Sequence, residues 1–67
     1  MKAVLKIIGI DSATDIRKTQ KAISSNAGVI ASEISKAKKE AVIIYNENYV
    51  KIEKIIDSIE ELGYIVI

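Results

Sequence analysis

The stripe formed by Ile52, Ile55, Ile56, Ile59 and Leu62 constrains this chain more than any other feature of its sequence. These residues recur at helical spacing, and Lys51, Glu53, Lys54, Asp57, Glu60 and Glu61 fill the positions between them. The pattern predicts an amphipathic helix from about Tyr49 to Leu62, whose apolar side other parts of the chain must cover. Only 67 residues are available for this, and a chain of that size buries about 60% of its unfolded surface. Nothing staples the fold, because the chain contains no Cys and no His; a disulfide framework and a structural zinc site are both excluded. The aromatics are Tyr45, Tyr49 and Tyr64 alone, whereas fifteen residues are Ile. The core is therefore expected to be aliphatic and β-branched.

The cover for that helix is readable in the remaining segments. Ala3 to Ile8 is β-rich and ends at Gly9, with Ala3, Leu5 and Ile7 forming the stronger apolar face. Ile16, Thr19, Ala22 and Ile23 recur at helical spacing, and Ser12 followed by Asp15 fits a capping box at the start of that helix. Asp11 and Asp15 also put negative charge at its N-terminus, where the macrodipole favours it. Asn26 or Gly28 is expected to take the left-handed conformation at its end. Val29 to Lys36 and Glu40 to Tyr45 predict two strands joined by a tight connection at Ala37–Lys39, followed by a polar loop at Asn46–Asn48. Gly63 is the expected cap of the second helix, and Tyr64 to Ile67 a last short strand. Tyr45 and Tyr64 are expected to be partly buried at sheet edges. The order βαββαβ predicts an α+β domain over residues 1–67. Its expected form is a ferredoxin-like sandwich, a four-stranded antiparallel sheet with two helices on one face.

Several function classes fall away on composition. The net charge is +1, which argues against non-specific nucleic-acid binding. Lys36, Lys38 and Lys39 have no aromatics among them and are expected to be a solvated turn. No stretch approaches the ~20 apolar residues that span a bilayer. The apolar run of Met1 to Gly9 is too short for a signal peptide, so a soluble, cytoplasmic protein is expected. No Pro, and a surface built of Lys and Glu, match a thermophile-like composition. Catalysis is not expected: there is no nucleophile–base pair, and a paired-carboxylate role for Asp11 and Asp15 is disfavoured because acid catalysis needs a buried carboxyl with a raised pKa, which a helix N-terminus opposes.

The segments KIIGID, RKTQKAI, GVIASEIS, KKEAVIIY and IEKIIDSIEELGYIV, at these spacings, resemble the heavy-metal-associated domain. That family comprises copper chaperones, the periplasmic mercury-binding protein and the N-terminal domains of metal-transporting P-type ATPases. The resemblance covers essentially the whole chain. The family's defining loop reads Gly-Met-x-Cys-x-x-Cys, and its two thiolates hold a soft ion. Here the same positions are Gly9, Ile10, Asp11, Ser12, Ala13, Thr14 and Asp15. Gly9 is kept, Ile10 stands in for the Met, and Ser12 and Asp15 stand where the cysteines would be. Thr19 occupies a helix position that is normally aliphatic, and Tyr64 matches a residue that bacterial copper chaperones carry close to the loop. Cu(I) and Hg(II) require thiolate or thioether donors. The chain has neither beyond Met1, so no cofactor is expected and the family's metal shuttling is not carried over.

Three roles remain open for the loop. Ser12 and Asp15 cap the helix, and nothing more. Alternatively, Asp11, Ser12, Thr14 and Asp15 offer oxygen donors to a weakly held divalent cation, although the loop lacks the donor count of a calcium site. Thirdly, Ile10, Asp11, Ala13, Arg17, Lys18, Lys21 and Tyr64 form a docking surface, since the family uses this region against partner domains; the basic residues would favour an acidic partner. The resemblance implies a small binding module, accessory to metal homeostasis, that meets a metal-transporting ATPase or a related domain. A cysteine-free sequence engineered on the family backbone is the further alternative. A monomer or weak homodimer is expected, with edge-to-edge strand pairing available.

Overall fold

The element order is β1 (Lys2–Ile8), α1 (Ala13–Ser24), β2 (Val29–Ser35), β3 (Glu40–Tyr45), α2 (Ile52–Glu60) and β4 (Ile65–Val66). The structure, a computed structural model, describes residues 1–67. One antiparallel sheet runs in the order β2-β3-β1-β4. Both helices cover one face of it, giving the ferredoxin-like βαββαβ arrangement.

Alternation along the strands decides which side chains meet the helices. Leu5 and Ile7 of β1 and Ala41, Ile43 and Tyr45 of β3 point inward, where Ile23 of α1 and Ile55 and Ile59 of α2 pack against them. Period 2 on the strands and period 3.6 on the helices bring these residues to one layer. The core holds no aromatic except Tyr45, and it follows the aliphatic composition. Tyr45 closes the end of an inner strand, not an edge strand; β2 and β4 are the edges.

Element ends are where local periodicity misleads. Helix α2 begins at Ile52, three residues after the expected Tyr49. The Asn46 carbonyl accepts both the Tyr49 and Val50 N–H groups, and Asn46 Oδ1 accepts the Asn48 N–H. These bonds hold residues 46–50 in turns, with Val50 anchored in the core. The helix ends at Glu60, because Leu62 and Gly63 donate to carbonyls only three residues back. That tighter winding turns Leu62 off the stripe and leaves it 43% exposed. Gly63 then leaves the helix at φ +98°. Strand β2 stops at Ser35 and not at Lys36, since the Ser35 hydroxyl accepts the Lys38 N–H and starts the turn. Strand β4 is confined to Ile65 and Val66.

The exit from α1 also departs from expectation at Asn26. Its backbone is not left-handed. The buried side chain instead donates to the Ala22 and Ile23 carbonyls and bonds to Ser58 of α2, so it caps one helix and ties it to the other. Gly28 takes the left-handed role at φ +100°. A Cβ at Gly28 would lie 2.8 Å from Tyr49 Cβ, so the close approach of the two loops also requires glycine.

Candidate functional site

The loop between β1 and α1 is built on two anchors. Gly9 lies at φ +112°, and a Cβ there would sit 3.0 Å from the Tyr64 ring, so the ring lies over the bare backbone. Ile10 follows and is fully buried. Its place among the docking residues is thereby corrected: it is a core side chain that pins the loop from beneath and offers nothing to a partner.

Ser12 is the N-cap of α1, with extended backbone at φ −128° and ψ 166°, and the capping box is complete. Its hydroxyl accepts the Asp15 N–H at 3.2 Å and donates to Asp15 Oδ2 at 3.2 Å. The same Oδ2 accepts the backbone N–H groups of Asp11 at 3.1 Å and Ser12 at 3.2 Å. Asp15 Oδ1 accepts the Tyr64 hydroxyl at 2.6 Å, the short distance expected for O–H donated to a carboxylate. Four donors thus converge on one carboxylate. They hold the Asp15 carboxyl at about 2, below its ordinary 3.8, with the Tyr64 bond the largest cause and the Asp11 N–H next. Reciprocally, the bond to Asp15 pushes the Tyr64 hydroxyl pKa above its ordinary range, and desolvation adds to the effect.

The other loop residues are dispersed. Asp11 is exposed and pairs with Lys39 at 3.7 Å, a surface contact contributing ~0–1 kcal/mol. Lys39 therefore does more than solvate a turn, and only strand register brings it to the loop: the Ile7 N–H donates to the Lys39 carbonyl at 2.8 Å. Ala13, Arg17, Lys18 and Lys21 are exposed along α1, while Tyr64 is half-buried. Thr19 is fully buried, and its hydroxyl makes no well-formed hydrogen bond; it lies towards Tyr64, whose pKa a weak contact from it lowers, as the least of the causes acting there. A groove of about 330 Å³ lies among Tyr45, Glu47, Val50 and Glu53, at the end of the sheet away from the loop. No cluster of three or more Asp, Glu, His or Cys side chains is arranged to hold a metal ion, and no helix is long and apolar enough to cross a membrane.

Across residues 4–64 the chain matches the heavy-metal-associated domain. It belongs to that family. No curated protein matches this heavy-metal-associated domain in sequence. Solved structures do share its fold. The CopZ metallochaperone superposes with a TM-score of 0.97 at 19% identity, covering 100% of both chains. Oxidized MerP from Ralstonia metallidurans gives 0.90 at 24%, over 100% of this chain and 93% of that one. The Cu(I)-loaded N-terminal domain of a potential copper-translocating P-type ATPase from Bacillus subtilis gives 0.92 at 22%, over 97% and 81%. At these identities the likeness shows the fold.

The donor set of this heavy-metal-associated domain does not fit a soft ion. The two motif positions carry a hydroxyl and a carboxylate, both hard oxygen donors. They are also already engaged. Ser12 uses its hydroxyl as donor and acceptor within the cap, and Asp15 uses both oxygens on four donors.

Proposed function

We propose that this chain is a non-catalytic, cytoplasmic docking module in metal homeostasis, which engages a metal-transporting ATPase or a related domain without carrying a soft ion itself. The observation that supports this reading is the saturation of Asp15. A carboxylate holding four donors keeps the loop ordered without metal and leaves little lone-pair capacity for one. Around that ordered loop, Asp11, Ala13, Arg17, Lys18 and Lys21 remain exposed and form the contact surface, with Tyr64 at its border. The basic residues of α1 suit an acidic partner face. Oxygen-ligand cation binding is the competing reading, and a cation would have to displace the Tyr64 hydroxyl and the loop N–H groups.

The test is an amide-shift titration of the ¹⁵N-labelled chain. Separate titrations use Cu(I), Zn²⁺, Ca²⁺, Mg²⁺ and the N-terminal domain of a metal-transporting ATPase from the same genome. The expected result is no saturable shift with any ion, and saturable shifts over residues 11–21 and Tyr64 with the ATPase domain. Charge reversal at Arg17 and Lys18 should abolish the latter. Saturable ion-induced shifts confined to Gly9–Ile16 would overturn the docking reading in favour of a metal site.

A further inference from the structure

The outer face of the sheet, opposite the helices, is left without cover. Five of the nine exposed large hydrophobic residues lie on it: Val4, Ile8, Ile44, Ile65 and Ile67. Val42 joins them, half-buried, directly across from Val4. These apolar residues flank the Lys6–Glu40 row, which crosses the same face between Val4/Val42 and Ile8/Ile65, so the face combines apolar surface with one charge of each sign. Edge-to-edge pairing is the less favoured way to use the sheet, since β2 carries an irregularity between Val29 and Ala31 and β4 has only two residues. Both features blunt an edge.

We infer that this face docks a second copy of the same chain, sheet against sheet, about a two-fold axis parallel to the strands and lying between β1 and β3. The cross-strand register supports that occupant. Lys2 pairs with Ile44, Val4 with Val42, and Lys6 with Glu40. Rotation about such an axis lays β1 of one copy over β3 of the other, row for row. Val4 then meets the other copy's Val42, Lys6 meets its Glu40, and each contact occurs twice. These two rows are central to β1, so they stay opposed at the ~30° crossing of aligned sheets. Lys6 and Glu40 are free for this. They form no ion pair with each other or with any other side chain, the molecule's one ion pair being Lys39–Asp11. A partner bearing one sign of charge would leave either Lys6 or Glu40 facing its like; a second copy satisfies both.

The area sets the strength. Four strands about 4.8 Å apart and a seven-residue β1 make a face that hides roughly 500 Å² per copy, below the ~800 Å² per partner typical of stable complexes. The dimer is therefore a weak one, populated at high concentration, and it leaves the helix face and the Ser12–Asp15 loop free.

Sedimentation equilibrium and concentration-dependent ¹⁵N amide shifts on the intact chain test this, from about 10 μM to about 1 mM, the range in which an interface of this size associates. The expected result is a rise from monomer towards dimer mass, with shifts confined to the four strands and largest in β1 and β3. Val4→Glu, at a position 54% exposed in the monomer, should weaken association at least about tenfold with the amide dispersion of the fold intact. Lys6→Glu and Glu40→Lys should each weaken it similarly, and an equimolar mixture of the two should restore it as a heterodimer. Monomer mass at the highest concentration would overturn the inference. So would dimers that persist in Val4→Glu, shifts that map to α1 or α2, or a charge-swapped mixture that stays monomeric.

Discussion

Tyr64 donates its hydroxyl to Oδ1 of Asp15 at 2.6 Å, joining residues 49 positions apart. The bond links the chain just before β4 to the first turn of α1, at the place where the family's thiolates hold metal. Here oxygen atoms and protons make the closure.

Removing that hydroxyl should show in the carboxylate. In Tyr64→Phe the Asp15 pKa is expected to rise from about 2 towards its ordinary 3.8, because the largest stabiliser of the charged form is gone. A ¹³C carboxyl titration of Asp15 in both proteins reads the change directly. An unaltered pKa would mean that the backbone donors alone set it.

The same bond gives the fold a pH dependence with a definite sign. Asp15 titrates lower when folded, so its contribution is fully present above the unfolded pKa near 3.8 and is lost as pH falls towards about 2. Tyr64 titrates higher when folded, so its contribution is present below the ordinary tyrosine range and is lost as pH rises through the folded value. Urea midpoints measured from neutral pH down to pH 2 are expected to fall below about pH 4, and to fall less in Asp15→Asn.

Ser12→Ala removes the hydroxyl that accepts the Asp15 N–H. The loss of an N-cap of this kind costs about 1 kcal/mol. Chemical denaturation in metal-free buffer should report that decrease, and no change would remove the capping role.

Thr19→Val should act in the opposite direction. The Thr19 hydroxyl is buried with no partner, and burying a polar group unpaired costs ~1–3 kcal/mol. A methyl group of similar shape removes that cost, so a gain of about 1 kcal/mol is expected, seen as a rise in Tm. A loss of stability would show that the hydroxyl is hydrated or bonded in solution.

Ser12→Cys combined with Asp15→Cys returns two soft donors to the loop. The double variant is expected to bind Cu(I) while the unaltered chain does not, as read by competition with a chromogenic Cu(I) chelator. Failure to bind with the fold intact would mean that the loop backbone has moved away from the family's ligand geometry.

Sequence and structure agree most closely where the signal is local. Apolar spacing along Leu5–Ile7 and Ile55–Ile59 assigns strand or helix and picks the inward side, because those periods follow from backbone geometry within a few residues; in Glu40–Tyr45 both sides are apolar, and only packing selects Ala41, Ile43 and Tyr45 as inward. The Ser12–Asp15 capping box is equally local, closing over three positions. The absence of Cys and His decides the soft-metal question without any coordinates. Other features depend on partners distant in the chain. Sheet order sets Tyr64 over Gly9 and against Asp15. Hairpin register carries Lys39 to Asp11. The core takes Ile10 away from the surface. Turns closed on Asn46 delay α2 to Ile52, and a tightened last turn exposes Leu62. The uncovered apolar rows on the outer sheet face also emerge only when β1 and β3 are paired. The Asn46 turns and the tightened last turn are bonds over two to four residues that apolar periodicity does not report; the other outcomes join segments dozens of residues apart, and such contacts exist only once the strands have been placed side by side.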